Sequence, residues 1–181
     1  MHTHDQGNIY DRQSIFPLKH ITAQLKDSML KKQQAYTKAE CENKPKLRTF
    51  LLFKDFATIP PHVGKPLTFV ERRTISKLRL GILPLRVETA RYIRPVIPEH
   101  QRVCYCHSGD IENEYHALFN CSVYYNLREA WLEKIDIPEN FWELNPAEKL
   151  CLVLNEAQNV RHTAQFLVAL LDLRSLLNKI Y

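Results

Sequence analysis

Apolar positions recur at helical spacing over most of the chain. In "PLKHITAQLKDSMLKKQQAYTKAE", Leu18, Ile21, Leu25, Met29 and Leu30 share one side and lysines the other, which predicts a helix over 18–39. Pro45 closes that region. "KLRTFLLFKDF" follows, apolar and aromatic with Arg48 and Lys54 at its flanks, a run too short to separate helix from strand cleanly, with helix preferred. The prolines and glycine of "ATIPPHVGKP" predict an ordered loop or linker. Thr68 and Glu71 then form a capping box for "FVERRTISKLRL", a helix ended by Gly81 and Pro84. "LRVETARYI" reads as a further short helical turn and "RPVIPEHQR" as a Pro-rich approach to a cysteine cluster.

Beyond the cluster, Ser122 is placed to cap "VYYNLREAWLEKI", and Asn145, Pro146 and Glu148 mark the cap, first and third positions of "AEKLCLVLN". The last segment, "VRHTAQFLVALLDLRSLLNKIY", is strongly apolar at helical spacing. Residues 1–15 carry no periodic pattern and read as a loose lead-in. No internal repeat, low-complexity tract or strand stands out. The expected class is mainly α, a helical domain with a small Cys/His zinc-binding loop inserted between helices. Its expected parts are a lead-in and amphipathic helix (1–45), a basic helical segment (46–103), a zinc-binding module (104–135) and C-terminal helices (136–181).

A chain of 181 residues can bury a real core without disulfides. It contains no run of eighteen apolar residues, and its polar start is unlike a signal peptide, so an intracellular protein, nuclear or cytoplasmic, with no membrane association is expected. The net charge of +5 conceals a division. Residues 1–103 carry 19 Lys and Arg against 9 Asp and Glu, a net of +10; residues 104–181 carry 6 against 11, a net of −5. The first half is the half suited to a polyanion.

"VCYCHSGDIENEYHALFNC", residues 103–121, holds three of the five cysteines and two of the eight histidines. In a reducing compartment an odd cysteine count with such crowding reads as metal ligands, with Cys41 and Cys151 as spare thiols. Zinc takes four soft or borderline ligands, usually as two sequence-local pairs. Cys104 and Cys106 supply the first pair, and His116 with Cys121, five residues on, the second. The C-x-C pair is one residue shorter than the commoner C-x-x-C turn, and His107 is a substitute ligand should Cys104 not reach. Four protein ligands leave no position for water, so a zinc held here is structural and not catalytic. Glu112 and Glu114 read as solvated loop carboxylates, since neither H-E-x-x-H nor the deaminase pattern of H-x-E with P-C-x-x-C occurs.

The strings "KLRLGILPLRVETARY", "RVCYCHSGDIENEYHALFNC" and "SVYYNLREAW", with "PKLRTFLLFKDF" upstream, resemble the C-terminal zinc-binding region of reverse transcriptases encoded by non-LTR retrotransposons. The likeness covers residues 45–135. It implies Cys104, Cys106, His116 and Cys121 as zinc ligands and RNA or DNA binding as the role. Two positions depart from that pattern: its Cys-x-x-Cys is Cys-x-Cys here, and the glycine of E-T-G-R is Ala90. A polymerase of that family needs adjacent Asp residues to hold two magnesium ions, and no Asp-Asp occurs; nor does a Gly-rich phosphate loop, with only 4 glycines in the chain. The expectation is a non-catalytic module.

Arg72, Arg73, Lys77 and Arg79 on one helix, followed by Arg86, Arg91, Arg94 and Arg102, form a concentrated set of candidate phosphate donors. Glu88 and Arg91, three apart, suit a local ion pair. Tyr92, Tyr105 and Tyr115 are candidates to stack on unpaired bases. Leu118, Phe119, Tyr124, Leu127 and Trp131 read as packing of the loop on the helix that follows. The alternative function is a protein-interaction or remnant module whose C-terminal helix lays Phe166, Leu167, Leu170, Leu171, Leu173 and Leu177 on a partner chain.

Overall fold

The computed structural model describes residues 18–42, 44, 49–53 and 59–178. The expected lead-in, Pro45 and the flanking Arg48 and Lys54 lie outside them. The chain divides into two compact units, 1–40 and 41–181.

In the first unit runs α1, Leu18–Glu42, which continues to the unit boundary and just past it. Ile21 and Leu25 are half-buried, whereas Met29 and Leu30 of the same expected stripe are exposed. Asp27 and Lys31, four apart, pair at 2.7 Å on its surface.

The second unit is helical, with a single antiparallel bridge, Val103 to Ile111, and no longer strand among the described residues. Its elements are α2 (Pro61–Gly64), α3 (Phe69–Leu80), α4 (Arg86–Thr89), α5 (Tyr125–Leu132), α6 (Pro146–Asn155) and α7 (Val160–Leu177). α7 is the central helix, against which α3, α5 and α6 all pack. Leu167 and Leu170 of α7 are fully buried, with Ile75 and Leu78 of α3, Trp131 of α5 and Leu154 of α6 in the same core. Each such aliphatic side chain contributes roughly 1.5–3 kcal/mol by leaving water. Trp131 stacks on Phe166 at 4.3 Å between ring centres, and its indole N–H meets the Thr163 hydroxyl at 3.3 Å. No helix among the described residues is long and apolar enough to cross a membrane.

Of the apolar residues of the last helix assigned above to a partner under the alternative reading, Phe166, Leu167 and Leu170 are buried internally and Leu171 and Leu173 pack against the same core, while Leu177 is half-buried and outside it. A pattern of apolar positions shows that a face must be covered, not by what.

The two capping boxes form as expected. Thr68 Oγ accepts from Glu71 N at 3.2 Å while Glu71 accepts from Thr68 N at 2.7 Å. Asn145 and Glu148 repeat the exchange, with Pro146 at the first position of α6. Gly81 closes α3 at φ 67°, the left-handed conformation that glycine adopts without a side-chain clash. Three local expectations are corrected. "FLLF" is a 3₁₀ turn, Phe50–Phe53, and not an α-helix. The proline-rich loop contains the turn α2, which buries His62. Ser122 makes no cap, because Ser122–Tyr124 is itself a 3₁₀ turn and α5 begins only at Tyr125.

Candidate metal centre

Two short pieces of backbone build the centre. The first is a hairpin closed by the Val103–Ile111 bridge, in which Cys104 N donates to Asp110 O at 2.8 Å and Glu112 N to Arg102 O at 2.9 Å. Its tip turns through two left-handed residues, His107 at φ 61° and Gly109 at φ 83°. The turn lets a C-x-C pair aim both sulfurs inward without the extra residue of C-x-x-C.

The second piece is a π-turn, His116–Asn120. Residues five apart on an α-helix point about 140° away from each other, so His116 and Cys121 could not share a ligand there. Here Cys121 N donates to His116 O at 2.8 Å, an i to i+5 bond that widens the turn and brings both side chains to one side. Asn113 Oδ1 accepts from His116 N at 2.8 Å at its start. At its end the buried Arg128 of α5 donates from Nε to Leu118 O at 2.8 Å and from its terminal nitrogen to Cys121 O.

The result is a compact donor set. One ligand atom from each of Cys104, Cys106, His116 and Cys121 lies within 4.8 Å of all the others. Cys104 Sγ and Cys121 Sγ are 3.6 Å apart, and Cys106 Sγ and His116 Nε2 3.3 Å. A tetrahedral zinc, with bonds of about 2.3 Å to sulfur and about 2.0 Å to nitrogen, holds two sulfurs about 3.8 Å apart and sulfur from nitrogen about 3.5 Å apart. Both edges fall within a few tenths of an ångström of those figures. The donors are those a divalent, borderline-soft cation takes, and all four come from protein. His107 is exposed and outside the cluster; Cys104 reaches it.

Acidity within the set is divided by its hydrogen bonds. The bond to Cys121, with burial, pushes the Cys104 thiol up to about 12. The same bond lowers Cys121, and contact with Cys104 and then Cys106 raises His116 against the opposing effect of burial. The far nitrogen of His116, Nδ1, faces Asp110 Oδ2 at 3.4 Å, an electrostatic contact longer than a good hydrogen bond. Nε2, on the other side of the ring, points at the sulfurs.

Glu112 is not solvated: it is fully buried, and Glu114 nearly so. Glu112 Oε2 accepts from Arg86 N at 2.7 Å, and its carboxylate takes both Arg174 Nε and a terminal nitrogen of Arg174 at 2.7 Å. This ties the hairpin to α4 and to α7 together. Leu118, Phe119, Tyr124 and Trp131 are buried as packing of the loop on α5, with Leu127 partly so.

The eight basic residues singled out above do not form one surface. Arg72 directs its guanidinium at the carbonyls of His62, Val63 and Lys65, at 2.6 to 3.0 Å. Arg79 is buried against Leu154 O and Asn155 Oδ1, and Arg102 against Ile97 O and Val87 O. These three brace the fold. Arg91 pairs with Glu88 at 3.4 Å, and Arg86 lies 5.0 Å above the Tyr105 ring. Arg73 and Arg94 are exposed and Lys77 half-exposed. Among the tyrosines, Tyr105 is covered by Arg86, Tyr115 packs on Phe119 at 5.4 Å, and Tyr92 is exposed with its hydroxyl on Glu88.

Sequence reasoning missed Arg128, Arg174 and the buried role of Glu112. Arg128 stands inside "SVYYNLREAW" and was open to notice there; Arg174, one arginine in an amphipathic helix, carried no local signal. Compared with models of protein families, with curated proteins and with solved structures, the chain matches none.

Proposed function

We propose that this chain is a non-catalytic RNA- or DNA-binding module whose fold is held by one structural zinc ion on Cys104, Cys106, His116 and Cys121. The observation that carries the reading is the four-donor cluster, three sulfurs and an imidazole nitrogen within 4.8 Å of one another. Zinc on these four residues would be coordinatively closed, so it supplies cross-linking and not chemistry. Its binding free energy would be folding free energy for the hairpin and the π-turn. The nucleic-acid half of the reading rests on the resemblance to a retrotransposon reverse transcriptase tail and on the basic excess of residues 1–103.

Two measurements on the purified chain test it: metal content by mass spectrometry, and binding of labelled RNA and DNA across a salt series. One zinc per chain and an affinity falling steeply with salt are expected. Well-folded protein without metal, or salt-insensitive self-association in place of nucleic-acid binding, would overturn it.

A further inference from the structure

With Arg72, Arg79 and Arg102 turned into the fold, the question is which basic surface is left for a polyanion. α3 presents one. Its inner side carries the buried Thr74, Ile75, Leu78 and Arg79. Its outer side carries Phe69 and Val70, 77% and 56% exposed, followed by Arg73 and Lys77. Val70, Arg73 and Lys77, spaced three and four apart, stand in one row, with Phe69 beside its first member. Among the described residues neither Arg73 nor Lys77 has an acidic partner.

An aromatic ring this exposed at a fraying helix end would mean little. This end is held. Phe69 is the first residue of α3, directly after the Thr68–Glu71 capping box, and Arg72, one turn on, is pinned by three carbonyls of the preceding segment. A capped helix start thus carries a water-exposed ring beside two cations that have no acidic partner among the described residues. Phe69 to Lys77 spans about 12 Å of helix, the length of three or four stacked nucleotides.

We infer that the outer side of α3, with Phe69 as a base-stacking platform and Arg73 and Lys77 as phosphate contacts, is the surface on which this chain takes single-stranded nucleic acid. The inference rests on the nucleic-acid reading above and names its contact face. A single strand fits the ring because its bases have open faces, which a duplex hides inside its stack. The cations fit the phosphates, and the reading requires no base-specific donor, so sequence preference should be weak.

The test is fluorescence anisotropy of labelled 12-mers of uridine and of thymidine with the full chain, at two salt concentrations. The proteins are wild type, Phe69→Ala, the double variant Arg73→Ala/Lys77→Ala, and Arg161→Ala as an exposed-arginine control on α7. Circular dichroism checks that each is folded, and the exposure of Phe69 makes that the expected result. Phe69→Ala should weaken binding about 10-fold with the salt slope unchanged. The double variant should lower the slope by about 1.4. Arg161→Ala should match wild type. If wild type binds neither oligomer, the nucleic-acid reading fails and this inference with it. If wild type binds and the α3 variants bind equally well, the contact face lies elsewhere and the inference alone is overturned. Equal competition by a duplex overturns it too, as does finding that the α3 substitutions instead abolish binding to anionic vesicles or a concentration-dependent dimer.

Discussion

Glu112 and Arg174, 62 residues apart, meet in a buried two-pronged ion pair with both nitrogen-to-oxygen distances at 2.7 Å. One partner belongs to the cysteine hairpin and the other to the last helix, so the pair locks the candidate metal loop to the core. Burial disfavours the charged form of Arg174, and the Glu112 carboxylate more than offsets this, holding the guanidinium protonated.

Breaking this pair from one side strands a buried charge. Arg174→Met should destabilise the protein by about 3–5 kcal/mol. The double variant Glu112→Met/Arg174→Met should recover part of that loss, though not all, because Arg86 N would still lack its acceptor. Urea unfolding of Arg174→Met, of Glu112→Met and of the double gives the coupling; a double no better than the singles would contradict it.

Metal content should separate the four cluster residues from His107. His116→Ala and Cys121→Ser should lose zinc and much of the thermal transition, while His107→Ala keeps one zinc per chain. Cys104→Ser tests the shortened C-x-C pair, and its loss of metal is the expected result. Metal analysis alongside a melt with and without chelator reads all four.

Stability should fall in mild acid because of His62. Burial, then the charges of Arg79 and Arg72, lower its pKa from 6.5 to about 4. The unfolded chain therefore binds a proton that the folded chain refuses between those values. The contribution of His62 is complete above pH 6.5 and is lost as pH falls towards 4, in all of order 3 kcal/mol. His62→Leu should show a shallower decline in unfolding free energy than wild type across that window. Parallel declines would remove His62 as the cause.

Thr68→Ala removes the side-chain acceptor for Glu71 N and should cost about 1 kcal/mol. Its thermal midpoint should drop by a few degrees with metal content unchanged, since α3 holds none of the four cluster residues. A loss of metal with this substitution would show that the helix and the hairpin fold as one step.

Local rules carried the sequence reading a long way. Period 3.6 in the apolar residues predicted α1 and α7, and Thr68–Glu71 and Asn145–Glu148 marked the starts of α3 and α6, because capping is decided within four residues of chain. Cysteine and histidine spacing narrowed the donors to Cys104, Cys106, His116 and Cys121 with His107 as a substitute, since two sequence-local pairs can meet across one short loop, and only the folded hairpin left His107 outside. Tertiary structure decided the rest. Arg72, Arg79, Arg102 and Arg128 look alike as letters, and only the position of distant carbonyls determines whether each faces solvent or braces the fold. Glu112 has the sequence neighbours of a solvated loop residue, and only the arrival of Arg174 and Arg86 N from other elements buries it in an ion pair. The apolar side of α7 had to be covered, and only packing showed that the cover is the chain's own core. Hydrogen-bond partners many residues apart leave no mark in the periodicity of either segment, because each is chosen by the folded backbone and not by its neighbours in sequence.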